Sequence, residues 1–173
     1  MLDSAAARSD MAEYRYCREG FEAKVREHFD RLPEADVTLE SLIPEKDFSI
    51  AGNGSAEVKN LLKRLGVDPE VLRRIAVAAY EAEINVAAHS RGGMMTSHIH
   101  ENLIHVVFQD KGPGIADIEQ AMIPGFSTAD DLVREMGFGA GLGLPNIKKN
   151  SDALRIVSEA GGTTLLEFII YFA

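Results

Sequence analysis

The sequence predicts an α/β sandwich in which helices cover one face of a mixed, mostly antiparallel sheet. Its 173 residues suffice for one well-packed domain of this kind with a short extension. Apolar residues recur at helical spacing between residues 56 and 89, and they alternate at strand spacing from residue 94 onward. Glycine clusters mark the turns between these elements. We therefore expect an N-terminal extension, residues 1–45, followed by the domain, residues 46–173.

The extension contains one amphipathic segment. Its apolar residues recur at spacings of four, four and three positions: Phe21, Val25, Phe29 and Leu32. This pattern predicts a short helix that ends before Pro33. The apolar stripe must contact either the domain's own surface or another chain, which leaves a homodimer open. Residues 36–44 are predicted to be a connector.

The first half of the domain is predicted to be mainly helical. A short strand, Asp47–Ala51, comes first. Ser55 is the predicted N-cap of a helix that reaches Leu65. Asp68 caps a longer helix that extends to His89, with a proline in its first turn.

Polar residues follow one edge of the apolar stripe on the longer helix. Glu81, Asn85 and His89 are four residues apart, so they lie above one another on one helix face. Asn85 offers a neutral oxygen to a hard cation such as Mg²⁺, whose other ligands are phosphates and water. Glu81 is placed to accept a proton from a hydroxyl or water that attacks a phosphate. Taken alone, each residue is also typical of a solvated helix face.

Strands Met94–His100 and Leu103–Asp110 are predicted to form a hairpin. A two-residue loop places Ile99 opposite Ile104. Three imidazoles then share the outer face of the hairpin: His98, His100 and His105. They are either ordinary half-exposed side chains or ligands of a metal ion.

Two glycine clusters follow. The first, Asp110-Lys-Gly-Pro-Gly-Ile115, comes directly after a strand, where the backbone turns sharply and a ligand can approach it. The second, Gly137-Phe-Gly-Ala-Gly-Leu-Gly-Leu144, precedes a predicted helix over residues 144–154, whose N-terminal amides suit a phosphate. The polar segment between them, about Pro124–Ala140, has the composition of a lid. The carboxylate of Asp110 can accept a hydrogen bond from an exocyclic amine, which favours adenine over guanine.

The chain ends with a second predicted hairpin, whose strands cover residues 154–159 and 163–171.

Composition limits the classes of partner and site that we expect. The net charge of −9 argues against binding to nucleic acid or to an anionic membrane surface. Cys17 is the only cysteine, which excludes an internal disulfide and a thiolate zinc site. The sequence contains no apolar run of membrane-spanning length and no signal-peptide pattern, so we expect a cytoplasmic protein.

Taken together, these motifs resemble the GHKL ATPase superfamily, which includes gyrase, MutL and the histidine kinases. The resemblance covers about residues 46–172. It rests on four motifs in the order and spacing of that superfamily: Glu81-x-x-x-Asn85-x-x-x-His89, Asp110-x-Gly112-x-Gly114-Ile115, Gly139-x-Gly141-Leu142-Gly143-Leu144 and Gly162-Thr163-Thr164. The short chain and the run from Asp110 to Thr128 look most like the bacterial anti-sigma-factor serine/threonine kinases and the related switch kinases of stress signalling.

The resemblance implies a Bergerat-type fold that binds ATP and Mg²⁺. It implies that Glu81 is the catalytic base, that Asn85 binds Mg²⁺ on the ATP phosphates, and that Asp110 binds the adenine amine with Thr163 beside it. The further nucleotide-binding positions that it implies are His89, Gly112, Gly114, Ile115, Thr128, Gly139, Gly141, Leu142, Gly143 and Leu144.

The resemblance also implies a partner. Kinases of this type phosphorylate a serine or threonine of a STAS-domain antagonist, and the anti-sigma members bind a sigma factor. The alternative is a nonenzymatic ATP-sensing module that sequesters a transcription regulator. The additional N-terminal residues and a second glycine motif with features of both branches leave the branch open. A histidine kinase core is disfavoured, because too few residues separate His28 from Asn85 to form that family's dimerisation hairpin.

Overall fold

The computed structural model describes residues 11–131, 133 and 141–173. Its strands are β1 (Met11–Cys17), β2 (Val37–Ile43), β3 (Gly93–Ile99), β4 (Leu103–Asp110), β5 (Ala153–Glu159) and β6 (Thr164–Tyr171). Its helices are α1 (Glu22–Arg31), α2 (Asn53–Arg64), α3 (Pro69–His89), α4 (Ile118–Ala121) and α5 (Gly143–Asn150). No helix in these ranges combines the length and the apolar composition that crossing a membrane requires.

The six strands form one sheet in the order β1-β5-β6-β4-β3-β2. Each neighbouring pair is antiparallel, so the predicted parallel component of the sheet does not occur among the described strands. The predicted register of the first hairpin is confirmed, since Ile99 pairs with Ile104 and His98 pairs with His105. This register directs Ile104, Val106 and Phe108 toward the helices, where each is almost completely buried.

The N-terminal residues contribute more to the sheet than the sequence pattern predicted. Residues 36–44 were predicted to be a connector, but Val37–Ile43 form β2 and pair along their full length with β3. Met11–Cys17 form β1 at the opposite edge. The predicted strand Asp47–Ala51 is wrong, because these residues form turns. The division into domains at residue 46 stays a prediction.

Helices α2, α3 and α5 cover the inner face of the sheet and enclose the main apolar core with it. Helix α1 covers part of the opposite face of the sheet. Its apolar stripe therefore contacts the domain's own surface, which was one of the two predicted locations. Phe21, Val25 and Phe29 pack against a second apolar cluster on that face: Leu103, Ala153, Ile169 and Tyr171. Helix α5 ends at Asn150, four residues before the predicted end, because Ala153 already begins β5.

The predicted cluster of imidazoles lies on the outer face, and α1 adds His28 to it. The ring nitrogens Nε2 of His28 and Nδ1 of His105 are 3.2 Å apart. His105 Nε2 lies 3.0 Å from the carboxylate of Glu167, which also accepts from Arg155 at 3.2 Å. Within the described ranges, no group of three or more His, Cys, Asp or Glu side chains is arranged to hold a metal ion. The structure therefore favours a hydrogen-bonded network over the metal site.

Candidate nucleotide-binding site

A cavity of about 500 Å³ opens between α3, the end of β4 and the N-terminus of α5. The loop that follows β4, helix α4, strand β6 and residues Phe126–Thr128 also line it. The cavity brings together most of the predicted nucleotide-binding residues: Glu81, Asn85, His89, Asp110, Gly114, Ile115, Thr128, Gly141, Leu142, Gly143 and Leu144. Motifs that are separated by up to 63 positions in the sequence thus surround one space.

Asp110 ends β4 at the floor of the cavity. Its Oδ1 atom accepts hydrogen bonds from the backbone amides of Gly112 and Thr164, both at 2.9 Å. Two charge-assisted bonds of this kind fix the orientation of a carboxylate. In the described part of the chain, no donor contacts the second oxygen, Oδ2. That oxygen is free to accept a hydrogen bond from an amine of a ligand.

The first glycine loop is pressed against the turn between β5 and β6. Gly114 has a φ angle of +83°, and a Cβ atom at this position would lie 2.1 Å from the carbonyl oxygen of Glu159. The backbone amide of Ile115 donates to Ser158 Oγ at 2.7 Å. Only glycine tolerates both the backbone conformation and the close approach. Gly112, with φ +101°, lies against Gly162 but does not line the cavity, so it shapes the loop rather than the cavity wall.

Helix α3 presents Glu81, Asn85 and His89 to the cavity, as their spacing predicted. Glu81 Oε1 accepts a hydrogen bond from Asn146 Nδ2 on α5, at 3.3 Å. Asn146 is a cavity residue that sequence reasoning missed, although its place in the first turn of a helix after the glycines was a usable signal. Burial lowers the pKa of His89, with Asp130 raising and Lys46 lowering it to smaller extents.

A second glutamate on α3 points elsewhere. The carboxylate of Glu83 accepts hydrogen bonds from the backbone amide of Gly52, at 2.8 Å, and from the amide and hydroxyl of Ser55. Glu83 is only 2% exposed, and it joins α3 to the N-terminal turn of α2. Glu81 is therefore the glutamate of this helix that can contact a ligand in the cavity.

Residues 141–144, the described part of the second glycine motif, also line the cavity. Gly141 has a φ angle of +75°, and a Cβ atom here would lie 2.4 Å from the carbonyl carbon of Gly125. The amide of Gly125 donates to the Gly141 carbonyl at 2.9 Å, which joins the two ends of the predicted lid. Helix α5 then begins at Gly143, whose α-carbon faces the Glu81 carboxylate. Gly139, together with residue 132 and the rest of residues 134–140 of the predicted lid, lies outside the described residues.

The predicted threonine beside Asp110 is displaced by one position. Thr163 was expected there, but its carbonyl accepts from the Glu159 amide and its side chain does not line the cavity. Thr164, the first residue of β6, lines the cavity and donates its amide to Asp110. The alternation of side chains along a strand explains the correction, since only one of two successive residues faces the core.

The charged side chains among the described lining residues of the cavity are acidic. The described lining includes the carboxylates of Glu81, Asp110 and Asp117, and its only imidazole, His89, has a lowered pKa. A nucleoside triphosphate bound here needs a cation to balance its negative charge, since the described lining contains no lysine or arginine. Amides at the start of α5 offer additional hydrogen bonds to phosphate oxygens.

Residues 52–167 match the family model described as histidine kinase-like ATPase domain. The chain belongs to this family. The prediction of a GHKL-type ATPase is therefore confirmed, and with it the use of ATP.

Two related proteins support the assignment to the histidine kinase-like ATPase family. The chain is 30% identical over 115 residues to the serine/threonine-protein kinase RsbT of Bacillus subtilis, covering 64% of this chain and 80% of RsbT. It is 31% identical over 106 residues to an anti-sigma F factor of Clostridium beijerinckii, covering 57% of this chain and 71% of that factor.

The fold also has a counterpart among solved structures. The crystal structure of the SiaB-SiaC complex from Pseudomonas aeruginosa contains a chain that superimposes on this histidine kinase-like ATPase with a TM-score of 0.51. The match covers 86% of this chain and 98% of that chain at 13% identity, so it shows a shared fold.

Proposed function

We propose that this histidine kinase-like ATPase is a protein kinase that transfers the γ-phosphate of ATP to a serine or threonine of a STAS-domain antagonist. The observation that carries the proposal is the arrangement of Asp110, Asn85 and Glu81 around one cavity between two glycine loops. Similarity to proteins named serine/threonine-protein kinase and anti-sigma F factor supports a regulatory kinase.

The nucleotide has one preferred orientation in this cavity. Adenine lies at Asp110, where the free Oδ2 accepts from its exocyclic amine and Thr164 completes the contact surface. The phosphates then extend toward Asn85 and the amides at the start of α5.

Mg²⁺ is part of the proposal because the cavity carries negative charge where the phosphates would lie. Asn85 supplies a neutral amide oxygen, and the phosphates and water supply the remaining oxygen ligands that Mg²⁺ prefers. Asn85 lies about one helical turn from Glu81 on α3, so a cation held by Asn85 would keep the phosphates near the proposed base.

In the proposed transfer, one bond to the γ-phosphorus forms and one breaks. Glu81 accepts the proton of the acceptor hydroxyl as the hydroxyl oxygen bonds to the γ-phosphorus, and the bond from that phosphorus to the bridging oxygen of ADP breaks. Asn146 donates a hydrogen bond to Glu81 and so orients the carboxylate. The proton leaves Glu81 for solvent after transfer.

Incubation with γ-labelled ATP, Mg²⁺ and STAS-domain proteins from neighbouring genes tests the proposal, with phosphoserine and phosphothreonine as the readout. We expect Glu81→Gln to bind ATP and to slow transfer by about 10²–10⁴-fold, the usual contribution of a positioned base. Glu57→Gln, on the exposed surface of α2, is the matched control and should transfer normally.

Two results would count against the assignment. Unchanged transfer by Glu81→Gln contradicts the role of this residue as the base. ATP binding by the wild-type chain without transfer to any STAS-domain protein favours the nonenzymatic, sequestering alternative. Binding to a sigma factor, a homodimer, and a cytoplasmic location stay predictions.

A further inference from the structure

One wall of the nucleotide cavity is the segment Phe126–Asp130, of which Phe126, Ser127 and Thr128 line the cavity. Short local hydrogen bonds shape this wall. The amide of Ala129 donates to Ser127 Oγ at 3.1 Å, and the amide of Val133 donates to Asp130 Oδ1 at 2.9 Å. These bonds join residues that are two or three positions apart in the sequence, so they do not determine where the segment sits relative to α3.

Ala129 and Val133 pack against Ala88 of α3, and the loop between β2 and α2 adds contacts that hold the segment in this position. The ammonium group of Lys46 donates to the Asp130 carboxylate. Phe48 packs in a small apolar cluster with Ala88 of α3, Ala129 and Val133. The backbone amide of Lys46 also donates to the carbonyl of Ala87, at 2.8 Å. The loop is thus bound to α3 on one side and to the cavity wall on the other.

The backbone of Lys46 supports a specific role for its side chain. Its φ angle is +51°, and the only other described residue besides glycine with a positive φ is Leu32, at +41°. A residue with a Cβ atom adopts this region at a conformational cost, and glycine or asparagine is the usual occupant. A lysine in this position reaches Asp130 in the cavity wall, which a glycine cannot do.

We propose that Lys46 and Phe48 are positioning residues of the nucleotide site, which hold residues 126–130 against α3 and thereby slow the release of bound ATP. The proposal rests on the proposed function, since it concerns the same cavity. Neither residue lines that cavity, so both act through the wall. The Lys46 ammonium acts through charge, because its interaction with Asp130 raises its own pKa and lowers that of the carboxylate.

Lys46→Gly separates this role from a structural one. Glycine relieves the positive φ angle but adds freedom to the unfolded chain, so the two effects on stability oppose each other. We expect a nearly unchanged melting temperature for the nucleotide-free protein, together with release of a fluorescent ATP analogue that is about two- to fivefold faster, the range for an exposed ion pair. Leu32→Gly makes the same backbone change at the end of α1 and should leave release unchanged.

A double-mutant cycle tests the partner. Asp130→Asn removes the charge but keeps an oxygen that can accept from the Val133 amide. Lys46→Glu should accelerate release in the wild-type background, where it opposes Asp130, and have less effect in the Asp130→Asn background. Stopped-flow displacement by unlabelled ATP in the presence of Mg²⁺ measures each rate.

The outcomes distinguish the two proposals. Faster release by Lys46→Gly at an unchanged melting temperature, with coupling to Asp130, supports the positioning role. Normal ATP binding with unchanged release in Lys46→Gly, or equal effects of Lys46→Glu in both backgrounds, overturns this inference and leaves the proposed function intact. Failure of the wild-type chain to bind ATP overturns both.

Discussion

The buried imidazole of His28 predicts a loss of stability in mild acid. His28 is 6% exposed, and its Nε2 lies 3.2 Å from His105 Nδ1. Burial, followed by repulsion from His105 and His100, lowers the pKa of His28 from 6.5 to about 4. Glu167 opposes this shift, and His98 adds to it. His28 therefore binds a proton at a lower pH in the folded protein than in the unfolded chain.

The sign and size of the effect follow from this difference. Above pH 6.5 the imidazole is neutral in both states, and folding stability does not depend on it. Between pH 6.5 and about 4 only the unfolded chain is protonated, so the free energy of unfolding falls as the pH falls. The full shift corresponds to about 3 kcal/mol at 1.36 kcal/mol per pH unit, and allowance for solvent screening reduces our expectation to about 2 kcal/mol.

Urea unfolding of the wild-type chain and of His28→Gln, at several values between pH 7.5 and 4.5, measures the effect. Glutamine can still donate to His105 but does not titrate. We expect the unfolding free energy of the wild-type chain to fall by about 2 kcal/mol more than that of the variant over this window. Parallel pH profiles for the two proteins would refute the reasoning, whatever their difference in stability at pH 7.5.

Other consequences of the structure can be checked with single substitutions. Thr164→Val removes the hydroxyl that lies 2.7 Å from Ser158 Oγ, so we expect about fivefold weaker ATP binding by calorimetry, whereas Thr163→Val should bind normally. Glu83→Ala leaves the amides that it binds without a partner inside the protein, and urea unfolding should show a loss of about 1–3 kcal/mol. Gly114→Ala would place a methyl group 2.1 Å from the Glu159 carbonyl, so we expect loss of ATP binding in equilibrium dialysis. Retained affinity in that variant would contradict the close packing of the first glycine loop.

Much of the cavity could be predicted from local patterns. Glu81, Asn85 and His89 share a helix face because the helical period is fixed, and the glycines mark turns because their positive φ angles exclude most other residues. Asp110 was identifiable as the residue that ends an apolar strand. These features depend on a few neighbouring residues, so they can be predicted without knowledge of the tertiary structure.

Other features depend on distant partners and escaped prediction. Among the described strands, the edge strand β2 pairs only with β3, whose paired residues lie 50 to 62 positions later in the chain. Its polar Ser41 and apolar Leu42 interrupt the alternation of Val37, Leu39 and Ile43 that would otherwise have identified a strand. The choice between Thr163 and Thr164 depends on the register of β6 against β4, and Asn146 reaches Glu81 only through the packing of α5 on α3.

Calorimetric titration of the wild-type chain and of Asp110→Asn with ATP and GTP in Mg²⁺ tests the central claim, that the cavity at Asp110 binds an adenine nucleotide. The substitution keeps one oxygen for the amides of Gly112 and Thr164 but can place a donor opposite the adenine amine. We predict that the wild-type chain binds ATP and not GTP, and that Asp110→Asn loses about 100-fold or more in ATP affinity, as expected when a buried polar contact is left unpaired. Equal ATP binding by the two proteins, or no ATP binding by the wild-type chain, would contradict the account.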